Sequence, residues 1–573
     1  MASDAESYGF TWPGKREALL EAGRPTDKVL RPILEDSVNF SETENIYIDG
    51  DNLEALKIIL KSYMRRVKMI YIDPPYNTGH DFIYPDDYSQ SEEESQRSLG
   101  FEDDSGRNYS SDIYREHKRS NPRFHSEWCS MIYPRLKLAH MLLSEDGVIF
   151  ISIDDSEQAK LRMICDEIFG ENNFVACLVW KSKSGGANDS KFFAVDHEYI
   201  LCYAKDADKF KLRQDTEAEV STSYNRKDDN GEYALDRLDK QSIRYSPALD
   251  FDIVDPEGKI YRPHHKDPAH PNATWRWSKD TVAERYSELV FENGNVYTKN
   301  YKKAGAIPRS LLTEERFGRT RTGKTDLYEL FQSNVFWPPK PYRLMTHLIR
   351  ISTDPDSIIL DFFAGSSTTA HAVMSLNAQD SGHRKFIMIQ IAEPCPEKSE
   401  AFKAGYHTIA EIGRERIRRA GQNLMCNNQQ LTTNNYTLDS GFRAFKITDS
   451  NYRDVFRFPD EITQENISDM AENIKPDRTD LDLLFMCAAD FGLPLSLPYR
   501  KETADGFTVH IYGDKDIAAC FGENISEEAV KFIAKMKPKR AVFRDSCFGG
   551  VCSRINMEQV FEAYAGKIEM TIL

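Results

Sequence analysis

From Ile46 onward, short continuous apolar runs alternate with stretches whose apolar residues fall at helical spacing. IYI reads as a short strand, and the following GDNLEALKIILKSY as an amphipathic helix. KMIYID (68–73) is continuously apolar apart from its ends, as a strand buried on both faces must be. Residues 85–125 are polar and charged and read as a long mobile loop. A helix is predicted over 128–143, a strand over 147–153, and further short strands over 174–180 and 197–203. Strand, helix and strand in alternation predict an open, largely parallel α/β sheet. From about 206 to 333 the alternation stops, and polar and aromatic residues with turns at DDNG, DPEG and ENGN indicate an inserted domain. The α/β pattern then resumes. It has a helix over 341–352, a strand over 357–361, a helix from about 367, a strand over 386–391 and a helix over 406–420 with RERIRR on its exposed side. From about 440 a separate α/β module is expected, with strands in VHIY, IAACF, RAVFR and IEMTI.

The expected organisation is an irregular, turn-rich arm (1–45), a first catalytic half (46–205), an insert (206–333), a second half (334–425) and a C-terminal module (440–573). A chain of 573 residues is long enough for several cores, because single cores stop growing near roughly 250–300 residues. No stretch approaches the roughly 20 apolar residues of a membrane span, and Met1–Phe10 lacks a secretory core, so a cytoplasmic protein without a membrane role is expected. The ten cysteines form no CxxC pair and none sits at zinc-ligand spacing from a histidine, which predicts reduced thiols and no metal. The net charge, 74 − 91 = −17, argues against a protein that coats nucleic acid by bulk attraction, though not against a local basic groove.

Two short motifs carry chemistry. Asp73-Pro74-Pro75-Tyr76-Asn77-Thr78-Gly79 follows the KMIYID strand, at the carboxyl end where open α/β sheets bind ligands. Two prolines remove backbone donors and leave carbonyl acceptors. Asp73 adds another acceptor and Tyr76 a flat π-face. An adenine swung out of a duplex presents an amine and a flat ring. Asp73 and the Pro74 carbonyl can take its two hydrogens, freeing the nitrogen lone pair to attack a methyl sulfonium. The second motif, Asp361-Phe362-Phe363-Ala364-Gly365-Ser366-Ser367-Thr368-Thr369, repeats strand, turn and helix. Its glycine permits close approach of a ligand, and the helix start offers free N–H groups to a carboxylate. S-adenosylmethionine has such a carboxylate beside an ammonium that Asp361 can accept. With one glycine and no lysine, the turn is neither a dinucleotide nor an ATP loop. Asp51, in Gly50-Asp51-Asn52-Leu53, suits the cofactor's adenine amine and a helix N-cap equally well.

Together these residues resemble the β group of amino-methyltransferases, in which the catalytic motif precedes the cofactor motif, over about 46–205 and 335–420. DPPY rather than SPPY resembles the adenine specialists. FTWPGKREALLEA, MIYIDPPYNTGHDFIY, FWPPKPYRLMTHLIR and GFRAFKITDSNYRDV extend the resemblance to the modification (Mod) subunits of type III restriction systems. The resemblance implies a Rossmann-like, S-adenosylmethionine-dependent methyltransferase sheet with an inserted target-recognition domain and a C-terminal α/β module. It further implies that Asp73 and Tyr76 hold the adenine, and that Asp361, Phe363, Gly365 and Ser366 bind the cofactor. Lys340, Pro341 and Leu344 would flank the cofactor's methionine end. Gln390 stands where many relatives have an acid for the ribose, with Glu393 a nearby alternative, and Ser367 stands where glycine is common. Double-stranded DNA, a second copy of the chain and a separate helicase–nuclease (Res) subunit are the implied partners, the C-terminal module serving the last two.

Residues 301–324 hold seven Lys/Arg against two Glu, an excess suited to phosphates. Trp275 and Arg276, with Lys302, Lys303, Arg319, Arg321 and Lys324, are the expected DNA contacts. A solitary methyltransferase of the same chemistry, or a specificity module without activity, are the competing functions. Retention of Asp73, Tyr76 and Asp361 speaks against the last.

Overall fold

The alternating pattern resolves into one ten-stranded mixed sheet in a computed structural model, which describes residues 9–79, 124–185, 192–218, 224–239, 245–264, 273–302, 305–427, 436–453, 474–549 and 551–573. The expected loop 85–125 lies, up to residue 123, outside the described residues. The chain divides into two compact units, residues 1–212 with 309–573, and residues 213–308.

In the first unit the sheet runs, edge to edge, Val29–Pro32, Arg443–Thr448, Ile46–Asp49, Lys385–Gln390, Ile358–Asp361, Val67–Ile72, Leu143–Ile153, His197–Ala204, Phe174–Lys181 and Leu311–Leu312. All neighbours are parallel except at Val29–Pro32 and on both sides of His197–Ala204. Successive strand residues point to opposite faces, so each strand feeds two cores. Ile46, Ile48, Ile70 and Ile72 pack with helices Asn52–Tyr63, Phe124–Leu142 and Gln158–Phe169. Tyr47, Met69 and Tyr71 pack with helices Tyr342–Ser352, Thr368–Asp380 and Ile409–Asn427. Burial on both faces explains why these strands read as unbroken apolar runs.

The crossovers place the site. After Val67–Ile72 the chain moves one way along the sheet to Leu143–Ile153, and after Ile358–Asp361 the other way to Lys385–Gln390. These two diverging strands are themselves neighbours, Ile359 opposite Met69 and Leu360 opposite Ile70. A crevice must open where adjacent crossovers part, at the carboxyl ends, and that is where such sheets bind ligands.

Three expectations need correction. The arm 1–45 is not irregular throughout, because Lys15–Glu21 is helical and Val29–Pro32 is an edge strand paired with Arg443–Thr448. Arg443–Thr448, expected to open a separate module, lies inside the large sheet, paired on its other side with Ile46–Asp49. Helix Asp480–Asp490 likewise adds Leu483, Leu484 and Phe485 to the main core. What remains of the expected module is a second, five-stranded sheet, in the order Tyr499–Ala504, Phe507–Tyr512, Ile517–Cys520, Arg540–Phe543 and Glu569–Ile572, with a core of its own on one face while Tyr512, Ile517, Ala519 and Val542 join the main core. Finally, the RERIRR arginines turn inward. Arg414 pairs with Asp49 at 2.9 Å and Asp36 at 3.1 Å, and Arg416 is wholly buried. Their helix packs behind the Gly365–Ser367 turn, whose polar groups would otherwise be buried without donors.

The second unit has its own antiparallel sheet, Leu289–Glu292, Asn295–Tyr301, Gly231–Arg237 and Arg226–Asp228, over a core of Leu238, Ile253, Tyr261, Trp275, Val282, Leu289 and Val296. Among the described residues no helix is long and apolar enough to cross a membrane.

Candidate active site

Asp73 leaves the sheet at the crevice as strand Val67–Ile72 ends, and the two prolines after it stop further pairing. The loop is held from below. The buried Trp128 indole donates to the Pro75 carbonyl at 2.7 Å, and Asn77, buried with φ +61°, donates to the Phe124 carbonyl at 3.2 Å and to Glu157 at 2.5 Å. A fixed loop aims its acceptors without cost at the moment of binding.

Lys340 is the centre of the acceptor set. Its ammonium donates to both Asp73 oxygens, at 2.9 and 2.7 Å, and to the Tyr76 hydroxyl at 3.0 Å, with Glu198 at 3.4 Å. The Tyr76 hydroxyl in turn donates to Glu198 at 3.0 Å. Burial alone would discharge Lys340, but Asp73 and Glu198 outweigh it and hold the ammonium above its ordinary range. Burial, then the same two carboxylates, keeps Tyr76 a neutral phenol. Two carboxylates against one ammonium leave the cluster a formal charge of −1, favourable wherever positive charge develops. Lys340 was expected at the cofactor's methionine end. Its backbone carbonyl does accept from Thr368 at 3.3 Å, but its charge belongs to Asp73 and Tyr76.

The second motif forms the other wall. Asp361 ends its strand buried, accepting from the Phe363 N–H at 3.1 Å and the Thr369 hydroxyl at 2.6 Å. No cation pairs with it among the described residues, and burial pushes its carboxyl up to about 7. A buried carboxylate in that state is short of a cation, which is what an amino-acid ammonium supplies. Gly365 and Ser367 turn the chain at φ +50° and +60°, so Ser367 takes the left-handed conformation without the glycine common there. Arg416 donates to Ser366 at 2.9 Å and Thr368 at 2.6 Å, pinning the start of helix Thr368–Asp380 from behind. Gln390, expected at a ribose, commits its amide to the protein: its oxygen accepts from the Gly365 N–H at 2.7 Å and its nitrogen donates to the Ile391 carbonyl at 3.2 Å. These bonds tie its side chain to the turn. Phe363 is buried against Phe362, shaping the wall.

Asp51 caps helix Asn52–Tyr63, its Oδ1 accepting from Leu53 at 2.8 Å and Glu54 at 3.1 Å, while Oδ2 faces Arg135 at 3.3 Å. Buried Arg135 also holds Asn52 at 2.5 Å, and Asn52 donates to the Phe362 carbonyl at 2.7 Å. That chain of bonds ties the Asp51 turn to the Asp361 turn. The structure thus brings Asp73, Tyr76, Lys340, Asp51, Asp361, Gly365, Ser366 and Gln390 to the carboxyl edge of four adjacent strands. Reading the sequence missed the roles of Glu198, Trp128, Thr369, Arg135 and Arg416. Only HEYIL, a charge at the mouth of a buried strand, held a signal.

The expected DNA contacts divide between the units. Trp275 is only 1% exposed, its indole donating to the Phe251 carbonyl at 2.8 Å, and is a core residue rather than a stacking platform. Arg276 pairs with Asp236 at 2.9 Å and Lys302 with Glu232 at 2.9 Å. Lys303 lies outside the described residues. In the first unit Arg319 points back onto the carbonyls of Thr313, Glu314 and Gly318. Arg321 is exposed, and Lys324 lies 5.5 Å from the Trp337 ring centre.

Gly323 supports the position of Lys340. It sits in helix Thr320–Phe331 against the segment before the lysine, and an added Cβ would lie 2.3 Å from the Pro339 carbonyl oxygen and 2.9 Å from the Lys340 carbonyl carbon. Neither atom can withdraw without shifting Lys340. Gly323→Ala is expected to cost about 1–3 kcal/mol of stability, as overpacking does. It should also lower methyl transfer about ten- to a hundredfold. Thermal unfolding and transfer rates, measured side by side, check it, and wild-type rates would mean that the Lys340 position tolerates the shift.

A doubly wound sheet with two strand–turn motifs flanking the crevice at its carboxyl edge defines a ligand-binding α/β enzyme. The family described as DNA methylase matches residues 67–399. The chain is 33% identical to the Mod subunit of the EcoPI type III restriction-modification enzyme of Escherichia phage P1, covering 98% of this chain and 90% of that one. It is 31% identical to the EcoP15I Mod subunit of Escherichia coli, with the same two coverages, 98% and 90%. It is also 34% identical to the type II methyltransferase M.KpnI of Klebsiella pneumoniae, over 67% of this chain and 89% of that one. The chain belongs to the DNA methylase family, among the Mod subunits of type III restriction-modification enzymes. It is a site-specific, S-adenosylmethionine-dependent DNA methyltransferase.

Proposed function

We propose that the chain methylates N6 of adenine in double-stranded DNA, with the base drawn out of the helix into the crevice. The observation that carries this is the Asp73 carboxylate, locked by Lys340 beside Tyr76 in the crevice that Asp361 also borders. A carboxylate offers about four acceptor positions, so Lys340 leaves Asp73 room for an amine hydrogen. The Pro74 carbonyl takes the second hydrogen. Both bonds draw the nitrogen towards sp3 and free its lone pair. The Tyr76 ring stacks on the base, its tilt set by the Glu198 and Lys340 bonds to its hydroxyl. Asp73 is also placed to receive the proton the amine gives up. S-adenosylmethionine, when bound, supplies an electron-poor methyl group on a sulfonium. Asp361, the Gly365–Ser366 turn and Phe363 would hold it, with Asp51 at its adenine amine.

Within a type III system the chain serves as modification and specificity subunit, with a separate helicase–nuclease partner, as the EcoPI and EcoP15I relatives support. The inserted unit 213–308 reads the target, and the C-terminal five-stranded sheet from Tyr499 onward serves self-association and the partner, in the cytoplasm. The likeness to M.KpnI, named a type II methyltransferase, supports as the second reading a methyltransferase that acts outside a type III complex, such as a solitary enzyme. A neighbouring gene with helicase and nuclease motifs decides between the two. For the chemistry, DNA methylated by the purified protein is digested and its nucleosides separated. N6-methyladenine is expected, and N4-methylcytosine in its place would refute adenine specificity.

A further inference from the structure

We infer that Glu157 is a positioning residue for methyl transfer: its buried carboxylate, acting through Asn77, sets where Asp73 and Tyr76 stand. The inference rests on the roles proposed above for those two residues. Glu157 is 0% exposed, while the charged groups beside it, Lys160 and His125, keep 30% and 53% of their side chains in water. A carboxylate taken wholly out of water is costly unless it is paired and hydrogen-bonded. Such a group in the interior calls for a use.

The sheet puts it at the right edge. Strand Leu143–Ile153 runs parallel to Val67–Ile72, with Ile151 opposite Ile72, so the residues after Ile153 leave the sheet where Asp73 does. Glu157 then takes the N-cap position of helix Gln158–Phe169, where a side chain ordinarily accepts from the first free N–H groups. Here it forms no cap bond. The carboxylate turns to the loop instead. Its Oε1 accepts from the Asn77 amide at 2.5 Å and from Nδ1 of His125, and the Lys160 ammonium lies 3.1 Å from Oε2. An ionised carboxylate only accepts, and with the imidazole hydrogen on Nδ1 all three neighbours donate.

Asn77 carries the effect to the chemistry. It follows Tyr76 directly, is wholly buried, and stands at φ +61°. Asparagine visits that left-handed conformation more readily than most residues, but only surrounding bonds keep it there. Its amide gives one hydrogen to Glu157 and another to the Phe124 carbonyl at 3.2 Å. Without the Glu157 bond the side chain is loosened, and the backbone that carries Tyr76 and Asp73, one and four residues upstream, shifts with it. An error of about 1 Å at a reacting group can cost about a hundredfold in rate.

Glu157→Leu, which keeps the bulk and removes the acceptors, is expected to slow methyl transfer about ten- to a hundredfold, with S-adenosylmethionine affinity and the KM for DNA unchanged. Glu157→Gln keeps an oxygen for Asn77 and His125 and should stay within about threefold of the wild type. Asn77→Asp sets two carboxylates face to face and should be as slow as Glu157→Leu. Joined to Glu157→Gln it turns the pair round, the amide now donating to the carboxylate, and most of the rate should return. Transfer rates are measured on a duplex carrying the site that the wild type methylates. Calorimetric titration with the cofactor counts the folded chains in each preparation, so that rates are compared per binding site. The inference is overturned by a Glu157→Leu loss that disappears on that count, by a Glu157→Gln as slow as Glu157→Leu, or by a double variant no faster than Asn77→Asp. Should the wild type mark cytosine in place of adenine, the reading of the base falls, while recovery in the double variant still judges Glu157.

Discussion

Asp73→Ala is expected to lower methyl transfer by two to three orders of magnitude or more while S-adenosylmethionine still binds, because preorganised groups facing developing charge carry terms of about that size. The substitution removes the acceptor for the target amine and, with it, the two shortest bonds of a buried ammonium, leaving Lys340 with Tyr76 and Glu198. Removing one partner of a partly buried pair leaves the other charge less well satisfied, so some loss of thermal stability accompanies the loss of rate. Asp73→Asn separates the two effects. It keeps the shape and one acceptor oxygen, should unfold closer to the wild type, and should still be nearly inactive. Calorimetric titration with the cofactor, beside transfer rates and melting curves, reads all three quantities. Equal loss of cofactor binding in the Asp73 and Asp361 variants would overturn the division of labour between the two motifs.

Asp361→Asn should weaken cofactor binding by about one to two decades near neutral pH, the worth of a charged hydrogen bond. The pH dependence is the sharper signature. Burial raises the Asp361 carboxyl to about 7 from an ordinary 3.8, so the folded protein holds this proton more tightly than the unfolded chain does. Its contribution to stability therefore falls as pH rises from 3.8 to about 7 and changes no further above that. Binding an ammonium requires the ionised form, so wild-type affinity should rise with pH by up to tenfold per unit and flatten near 7. It should decline above about 8, where an α-amino group loses its charge. The asparagine variant should lack the rising limb. Titrations between pH 5.5 and 8.5, with proton uptake or release read from buffers of different ionisation heat, check this. A rising limb that survives in Asp361→Asn would assign it to another group.

What the sequence made legible was whatever is written in consecutive residues. Asp73 to Gly79 and Asp361 to Thr369 each complete a buried strand, so strand, turn and chemistry are encoded together. Glu198 was visible only as a charge opening a buried strand, without its role. Its role depends on strand His197–Ala204 running antiparallel to Leu143–Ile153, a pairing no local pattern states. The arginines of Ile409–Asn427 misled for the same reason, since charge at helical spacing reads as solvent-facing unless the buried partners Asp49, Ser366 and Thr368 are known. Trp275 looked like a platform because it stands beside arginine, while its burial is decided by Leu238 and Val296, distant in the chain. Gln390 differs again: the residue was noticed, but the Gly365 N–H it serves becomes a neighbour only through the pairing of Ile358–Asp361 with Lys385–Gln390.

Strand Ile46–Asp49 is hydrogen-bonded between Lys385–Gln390 and Arg443–Thr448, which follow it by about 340 and 400 residues. During synthesis at roughly 5–20 residues per second, its neighbours arrive about 20–80 seconds after it does. Until then both its edges and the Gly50–Asp51 turn stay open on the ribosome, exposing backbone that invites pairing with other chains. Closure of the sheet is thus a late, long-range event of the slow kind. Newly made enzyme should gain its methylating power only once the last quarter of the polypeptide has emerged.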